Sequence, residues 1–453
     1  MSLRRMSIQG LHRCGKACKT ALVLDSSAGW KLRIALKREE AHRIASELQI
    51  ESDHPTASTA QKIRRNVMHN LQRSIVLCRS DRNRQWGLLL LLFVPILTML
   101  IGCTSAIAQQ TRTYFIAAVD LDWDYAPAGI NQISGNAFGE SEKVFVQSGK
   151  ERIGKVYQKA AYREFTDSTF TTLKPVDPKW QHLGILGPVI RGEVGDVIEV
   201  TFKNMTGFPA SMHPHGVFYR KDSEGAPYND GTSGSNTADD AIPPGGIHTY
   251  TWEVRERSGP GPMDGSSVLW MYHSHPDEPK DTNTGLVGPL IVTRKGAANQ
   301  DGSPKDVDRE FVTLFTVFDE NASHYLEQNI TRFTAKPRRV LKKRLEDPEF
   351  QESNLMHAVN GYVYGNLPGL TMKQGERVRW YLISIGTEVD LHTPHWHGQT
   401  ALLMGMRMDM VELLPGSMKT VDMMSDNPGT WLYHCHVNDH ITAGMMALFT
   451  VTE

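Results

Sequence analysis

The chain has 453 residues, 40% of them hydrophobic and 22% charged, with a formal net charge of −1. That profile excludes a disordered or collagen-like chain, and the length asks for two or three domains. The near-neutral total hides a division: residues 1–108 carry 17 Lys/Arg against 7 Asp/Glu, and residues 109–453 carry 32 against 43. A modestly acidic body behind a basic leader argues against a nucleic-acid partner.

Taken in chain order, residues 1–82 are basic and show no clear fold pattern, so they are expected to stand outside the fold. Met68 lies within them and is the expected true start. Residues 83–108 read as an export signal. Arg82 and Arg84 precede an apolar run of 16 residues from Gly87 to Gly102, broken by Pro95. A membrane span needs roughly 20 residues, so the run fits the apolar core of a signal better than a single anchor. Two cleavage signals follow. Leu100-Ile101-Gly102-Cys103 resembles a lipobox that would place a lipid on Cys103, and Ala106-Ile107-Ala108 resembles a signal peptidase site ahead of Gln109. The expected location is exported, periplasmic or extracellular, with anchoring at Cys103 if the lipobox is used. Cys14, Cys18, Cys78 and Cys103 all lie at or before this region, which leaves Cys435. One thiol closes no internal disulfide, so an exported protein that keeps it points to thiolate chemistry.

The rest of the chain contains one pattern twice. The first copy runs through the turn and strand at 191–200, HPHG at 213–216, YTW at 250–252, WMYHSH at 270–275 and GLVGPLIV at 285–292. The second runs through 373–380, HWHG at 395–398, WLYHCH at 431–436 and AGMMALFTV at 443–451. Short alternating apolar segments separated by Pro243-Pro244-Gly245-Gly246, Asn229-Asp230-Gly231 and Asn427-Pro428-Gly429 predict an all-β fold of Greek-key sandwiches or barrels. Domain one is expected at 109–295 and domain two at 306–453, joined by a polar linker at 295–308. The mixed charge run at 335–353 reads as a solvated surface insertion.

Ten of the 18 histidines fall in four short motifs: His213 and His215; His273 and His275; His392, His395 and His397; His434, His436 and His440. On a strand, residues two apart project from the same face, so each His-x-His offers two imidazoles a few ångströms apart. One such pair is weak evidence of a metal, but four in two repeated copies are strong. His434-Cys435-His436, then His440 and Met445, adds a thiolate and a thioether. With His392 this makes a His₂Cys set with a weak Met, the donor set of a blue-copper centre rather than of closed tetrahedral zinc.

These motifs resemble those of the multicopper oxidases, including laccases, ascorbate oxidases, bilirubin oxidases and the ceruloplasmin group. WMYHSHPDEPKDTNTGLVGPLIV and PGTWLYHCHVNDHITAGM are especially similar to ceruloplasmin-like and two-domain laccase-like members, and the likeness covers nearly all of 111–453. The resemblance implies two cupredoxin-like domains and four coppers per chain. His392, Cys435, His440 and Met445 would hold a type 1 copper. His213 and His395 would hold a type 2 copper, and His215, His273, His275, His397, His434 and His436 a type 3 pair. Domain one departs from the blue-copper pattern: Ala210 matches His392, Ser274 matches Cys435, and Pro279 and Thr284 stand where His440 and Met445 would be. One blue centre per chain is therefore expected, in domain two. The covalent link from Cys435 to both His434 and His436 would wire that centre to the trinuclear cluster. Similar two-domain oxidases are homotrimers with clusters built between subunits, and the resemblance implies the same here.

The expected activity is a copper-dependent oxidase that passes four electrons, one at a time, from a reductant to dioxygen, forming water. A phenol or aromatic amine, oxidised near the exposed edge of His392, is the first reductant considered. The alternative is Cu(I) or Fe(II). Met404, Met406, Met408 and Met410 alternate along one apparent strand, although such a stripe is more often adaptable core. Glu388 and Asp390 precede His392, where they would attract a cation or simply orient the imidazole. Asp230 resembles an acidic residue near the cluster of two-domain laccases and is a candidate proton relay, with a plain turn aspartate as the competing reading. Tyr219 is a candidate redox neighbour, with core packing as the commoner role. A two-domain copper nitrite reductase is a more remote alternative, since that family has its blue copper in domain one, where Ala210 and Ser274 stand.

Overall fold

The computed structural model describes residues 3–10, 19–26, 31–37, 110–333 and 345–453. The chain divides into two compact units, Met1–Ala106 and Ile107–Glu453. In the first, Leu3–Gly10 (β1), Lys19–Ser26 (β2) and Lys31–Lys37 (β3) form an antiparallel sheet. No fold pattern was expected there. The alternation in LRIALK is a strand signal that the basic composition obscured. The export signal, Cys103 and Met68 lie outside the described residues. Among the described residues no helix is long and apolar enough to cross a membrane.

The second unit is all-β apart from short helices, and its strands make two pairs of sheets. The strands of the first pair are Thr111–Asp124 (β4), Val156–Glu164 (β5), Ile190–Glu193 (β6), Val197–Asn204 (β7), His213–Pro214 (β8), Phe218–Tyr219 (β9), Ile247–Glu253 (β10), Ser267–His273 (β11) and Val287–Thr293 (β12). They order as β5-β4-β7-β10-β9 in one sheet and β6-β12-β11-β8 in the other. The second pair is built from Arg309–Asp319 (β13), Leu355–Val359 (β14), Thr371–Lys373 (β15), Arg377–Ser384 (β16), Pro394–Trp396 (β17), Ala401–Leu403 (β18), Met406–Met408 (β19), Met418–Met424 (β20), Gly429–Cys435 (β21) and Met446–Thr452 (β22). These order as β14-β13-β16-β20-β18-β19 and β15-β22-β21-β17. The repeat is thus a repeat of sandwiches, cupredoxin-like in arrangement. In each, the first His-x-His lies on or beside a short edge strand and the second at the end of the strand it pairs with.

Burial follows the residue patterns. In β7, Val-Ile-Glu-Val-Thr-Phe-Lys-Asn alternates, and Ile198, Val200 and Phe202 point into the first sandwich's core. β12 is buried along its whole length, as its continuous apolar run requires. The second sandwich is filled by Trp380, Trp396, Tyr433 and Phe449, with Trp396 and Tyr433 stacked at 5.3 Å. A third cluster lies between the sandwiches and draws Tyr125, Tyr157 and Val287 from one and Val312, Leu314, Met356 and Tyr381 from the other.

Consequently the segment expected to be a linker is not a loose tether. Its backbone closes on itself through Asn299 N to Ser303 O at 2.7 Å and Lys305 N to Ala297 O at 2.9 Å. The expected surface insertion is also partly corrected. Residues 334–344 lie outside the described residues, but the helix Pro348–Glu352 buries Phe350 in the inter-sandwich cluster. The charge run hid that one anchoring aromatic.

A fully buried ion pair crosses the same interface. Lys159 on β5 bonds Glu320, just after β13, and the Tyr125 hydroxyl donates to the same carboxylate. Truncating one partner of such a pair strands the other charge. Glu320→Ala is therefore expected to destabilise the protein by about 3–5 kcal/mol. Chemical denaturation of the two proteins checks this, and an unchanged midpoint would mean that Lys159 finds another partner.

Candidate metal centre

Three side chains converge at one end of the second sandwich. β21 ends on Cys435, the helix Asn438–Ala443 carries His440, and His392 is fixed by reciprocal backbone bonds with Leu413 at 3.0 and 2.8 Å. Cys435 Sγ lies 3.9 Å from His392 Nδ1 and 3.6 Å from His440 Nδ1, and the two nitrogens are 3.2 Å apart. All three residues are buried, and Met445 is buried beside them in the same core. The sulfur accepts N–H bonds from Thr393 at 3.4 Å and Val437 at 3.5 Å. Burial opposes ionisation of this thiol, but His392, His440 and the two amides outweigh it and bring its pKa down to about 6.

Asp390 is buried, and its carboxylate accepts from His392 Nε2 at 3.1 Å and from the Val317 amide at 2.7 Å. That bond fixes the ring with Nδ1 turned toward the sulfur. Asp390 is thus an orienter of the imidazole and not a free attractor of cations; Glu388 alone of that pair is exposed.

Each His-x-His pair meets its partner across an edge strand. β8 pairs with β11 so that His213 faces His273, and β17 pairs with β21 so that His395 faces His434. In the first sandwich His213 lies 5.4, 5.6 and 5.1 Å, ring centre to ring centre, from His215, His273 and His275. In the second, His395 lies 4.9, 5.4 and 5.6 Å from His397, His434 and His436. The turn after each pair needs a glycine. Gly216 and Gly398 have φ of +74° and +66°, and a Cβ on either would strike the ring of Trp270 or Trp431.

Carbonyls set the tautomers. Nδ1 of His213 donates to Glu224 O at 2.7 Å, that of His395 to Asp409 O at 2.9 Å, that of His273 to Ser274 O at 3.1 Å and that of His434 to Cys435 O at 2.7 Å. The Nε2 lone pairs therefore face inward, and His215–His273 and His397–His434 approach to 3.0 and 3.1 Å through these atoms. Burial lowers the pKa of His215 to about 4 and of His273 to about 3, so both are neutral at pH 7. Converging bare nitrogens are a poor core and a good cation site. Together with a thiol flanked by two imidazoles, the donors fit copper.

Among the described residues, the two imidazole quartets form separate clusters with no ring contact between them. The second quartet opens on a cleft lined by His395, His397, Gln399, Asp409, Asp426 and Trp431. Asp230 is placed in an ion pair with Lys221 at 2.7 Å and accepts from Thr232, so its carboxyl is held far below its usual range. It resembles a tied-down turn carboxylate more than a group that exchanges protons near neutrality. Tyr219 is half exposed, 6.0 Å from the ring of His213.

The methionines are not one strand face. Met404 sits in a hairpin turn with φ of +52°, Met406 and Met408 lie on β19, and Met410 stands opposite His395. Met404, Met406 and Met410 are 48%, 62% and 40% exposed, which corrects the expectation of adaptable core for these three, while Met408 is partly buried against the second sandwich's core. His392, in contrast, is 1% exposed and presents no open edge to a substrate.

Sequence reasoning missed His357. It lies outside every His-x-His motif, and a lone histidine carries no signal in a sequence. In the fold its ring packs 5.1 Å from that of His440. Its Nδ1 donates to Leu355 O at 3.0 Å, which leaves Nε2 as a lone-pair donor, and burial lowers its pKa to about 4.

Two multicopper oxidase family models match this chain, over residues 182–297 and 333–453. The human protein named Ferroxidase HEPHL1 is 48% identical over 354 residues, which cover 78% of this chain and 30% of that protein. Human hephaestin is 45% identical over 75% of this chain and 29% of its own, and human ceruloplasmin 41% over 78% and 32%. The chain thus spans about a third of the length of the curated relatives it matches.

The lowered thiol pKa has a consequence for metal uptake. Above pH 6 the thiolate dominates, and below it a proton competes for the sulfur. Copper affinity at the Cys435 site of the metal-free protein should therefore fall by about tenfold per pH unit below about pH 6. Titration followed by blue absorbance measures this; an affinity flat from about pH 7 to pH 5 would remove Cys435 from the ligand set.

Proposed function

The chain belongs to the multicopper oxidase family, and from that premise we propose that it oxidises a reduced metal ion, Fe(II) foremost, at the expense of dioxygen. The proposal places four coppers per chain. His392, Cys435, His440 and Met445 hold the type 1 ion. His213 and His395 hold type 2, and His215, His273, His275, His397, His434 and His436 hold the type 3 pair. When bound, copper supplies one-electron redox chemistry, and four electrons with four protons take one dioxygen to two waters.

The protein's own share is positional. Asp390 and the Leu413 backbone hold His392, and the Glu224 and Asp409 carbonyls hold His213 and His395 with lone pairs inward. Cys435 shares peptide bonds with His434 and His436, which makes a short bonded electron route between the two kinds of centre.

The observation that carries the choice of reductant is His357. Its ring packs 5.1 Å from that of His440, whose neighbour in the chain is Asp439. An imidazole and a carboxylate next to a copper-bound histidine form a landing place for a divalent cation. The name of the HEPHL1 relative points the same way. Aromatic reductants, placed first on sequence grounds, move to second, because His392 is closed to solvent; the exposed Leu391 and Leu414 beside it are what still favours them. Exposed Met404, Met406 and Met410 add soft donors that suit Cu(I). A nitrite reductase reading lacks the first-sandwich thiolate it requires, since Ser274 stands there.

Steady-state oxidation of Fe(II), Cu(I) and dimethoxyphenol, by wild type, His357→Ala and the fourfold Met→Leu variant, separates these cases. His357→Ala should lower kcat/KM for Fe(II) by at least about tenfold, roughly 1.4 kcal/mol, and leave dimethoxyphenol within about twofold. Equal Fe(II) rates in both proteins would sink the Fe(II) reading.

Two separate quartets in one chain call for a second copy. The proposed assembly is a homotrimer of exported subunits, each trinuclear cluster joining the first sandwich of one subunit to the second sandwich of the next. Dilution or mild denaturant that yields monomers in sedimentation should abolish oxygen uptake while the blue absorbance persists. Monomers that still reduce oxygen would exclude the intersubunit cluster.

A further inference from the structure

The two sandwiches make the same backbone bonds around unlike residues. In the second, the Thr393 amide donates to Cys435 Sγ at 3.4 Å and the His436 amide to Thr393 Oγ1 at 3.1 Å. In the first, the Ser211 amide donates to Ser274 Oγ at 3.0 Å and the His275 amide to Ser211 Oγ at 3.1 Å. Ser211 thus stands for Thr393 and Ser274 for Cys435, but no thiolate is present to bind a metal.

A carboxylate fills the place. Ser274 Oγ donates to Asp281 Oδ2 at 2.8 Å, and the Asp277 amide donates to the same oxygen at 3.2 Å. His324 Nε2 donates to Asp281 Oδ1 at 2.7 Å. The His324 amide donates to Thr284 Oγ1 at 3.0 Å, and its ring stacks on Phe208 at 3.8 Å. Ser274 and Thr284 correspond to Cys435 and Met445, so the Asp281–His324 pair occupies the hole in which the second sandwich would keep its blue centre. Asp281 is fully buried, while His324 retains 17% of its side-chain exposure. A lone buried carboxylate would be costly; here every bond it makes is to a donor.

We propose that Asp281, held by His324, is a positioning residue for the first sandwich's imidazole quartet, a hydrogen-bonded substitute for a second blue centre. The proposal rests on the oxidase reading and deepens it. Ser274 is the link between His273 and His275, so fixing its hydroxyl fixes the spacing of that pair. Ser211 carries the constraint onward: its hydroxyl accepts from the His275 amide and donates to Gly225 O at 2.6 Å. Gly225 follows Glu224, whose carbonyl sets His213. Three of the four imidazoles are thereby tied to one carboxylate. The network reaches the quartet through the backbone amide of His275 and the carbonyls of Gly225 and Glu224, so it acts on the position of the imidazoles.

The test uses the full chain loaded with copper, comparing wild type with Asp281→Ala, Asp281→Asn and His324→Phe. The readouts are copper per chain, blue absorbance, the type 2 electron-spin signal and, in the metal-free protein, the imidazole proton resonances. Asp281→Ala should weaken copper binding by the quartet about 10- to 100-fold, the range for losing a group that orients metal ligands. Its type 2 signal should shift or vanish, while the blue absorbance of the second sandwich stays at the wild-type level. Asp281→Asn, which can still accept from Ser274, should recover to within about threefold. In the metal-free Ala variant the His213 and His275 resonances should broaden or split, and those of His395 and His397 should not.

Full copper and an unaltered type 2 signal in Asp281→Ala would overturn the proposal, as would equal loss in the Ala and Asn variants. If Asp281→Ala fails to fold, seen as loss of the blue absorbance, His324→Phe decides. That variant keeps the ring stack and removes one bond; a several-fold weakening of the quartet supports the proposal and wild-type binding overturns it. Wild type that binds a single copper would sink the oxidase reading instead, and the metal-free resonances would still decide the network's role.

Discussion

Everything at the candidate centre depends on strand pairing at two sheet edges. A strand sends every second side chain to one face, which sets two imidazoles of a His-x-His side by side. The antiparallel register then brings a second pair opposite, with His213 facing His273 and His395 facing His434. Shifting either register by one residue would turn the imidazoles to the opposite face. Buried aromatics next to the histidines resist such a slip: Trp396 and Tyr433, partners across the two paired strands, stack on each other beside His395 and His434.

The sandwiches meet this constraint with different means. In the second, a buried thiol takes two amides and two imidazoles, so a metal ion is the natural centre of the arrangement. In the first, serines replace threonine and cysteine, and a carboxylate with its own histidine closes the same set of bonds. The repeat therefore preserves geometry while changing chemistry. This fits the proposed division of labour, in which only the second sandwich would hand electrons on while both present four imidazoles.

The interface between the sandwiches contributes as well. Its apolar cluster and the buried Lys159–Glu320 pair hold β5 against the start of the segment that bears His324. The first sandwich's support is thus partly supplied by residues that follow β13, far away in sequence. Such an arrangement couples the integrity of one half-site to the docking of the other sandwich.

The sequence by itself determined the class of fold and singled out the candidate donor residues. Periodicity, turn residues and a repeated order of motifs are local properties, and His-x-His, Cys435 and Met445 carry their chemistry in their spacing. Only the tertiary structure decided what those residues meet. A lone His357 gains meaning from lying against His440, 83 positions away. Asp390 proves to be committed to His392, and the methionines divide between a turn, an edge strand and the His395 bridge. Asp281 and His324 share no motif at all. Burial, tautomer and partner are set by contacts between distant segments, and no local pattern encodes them.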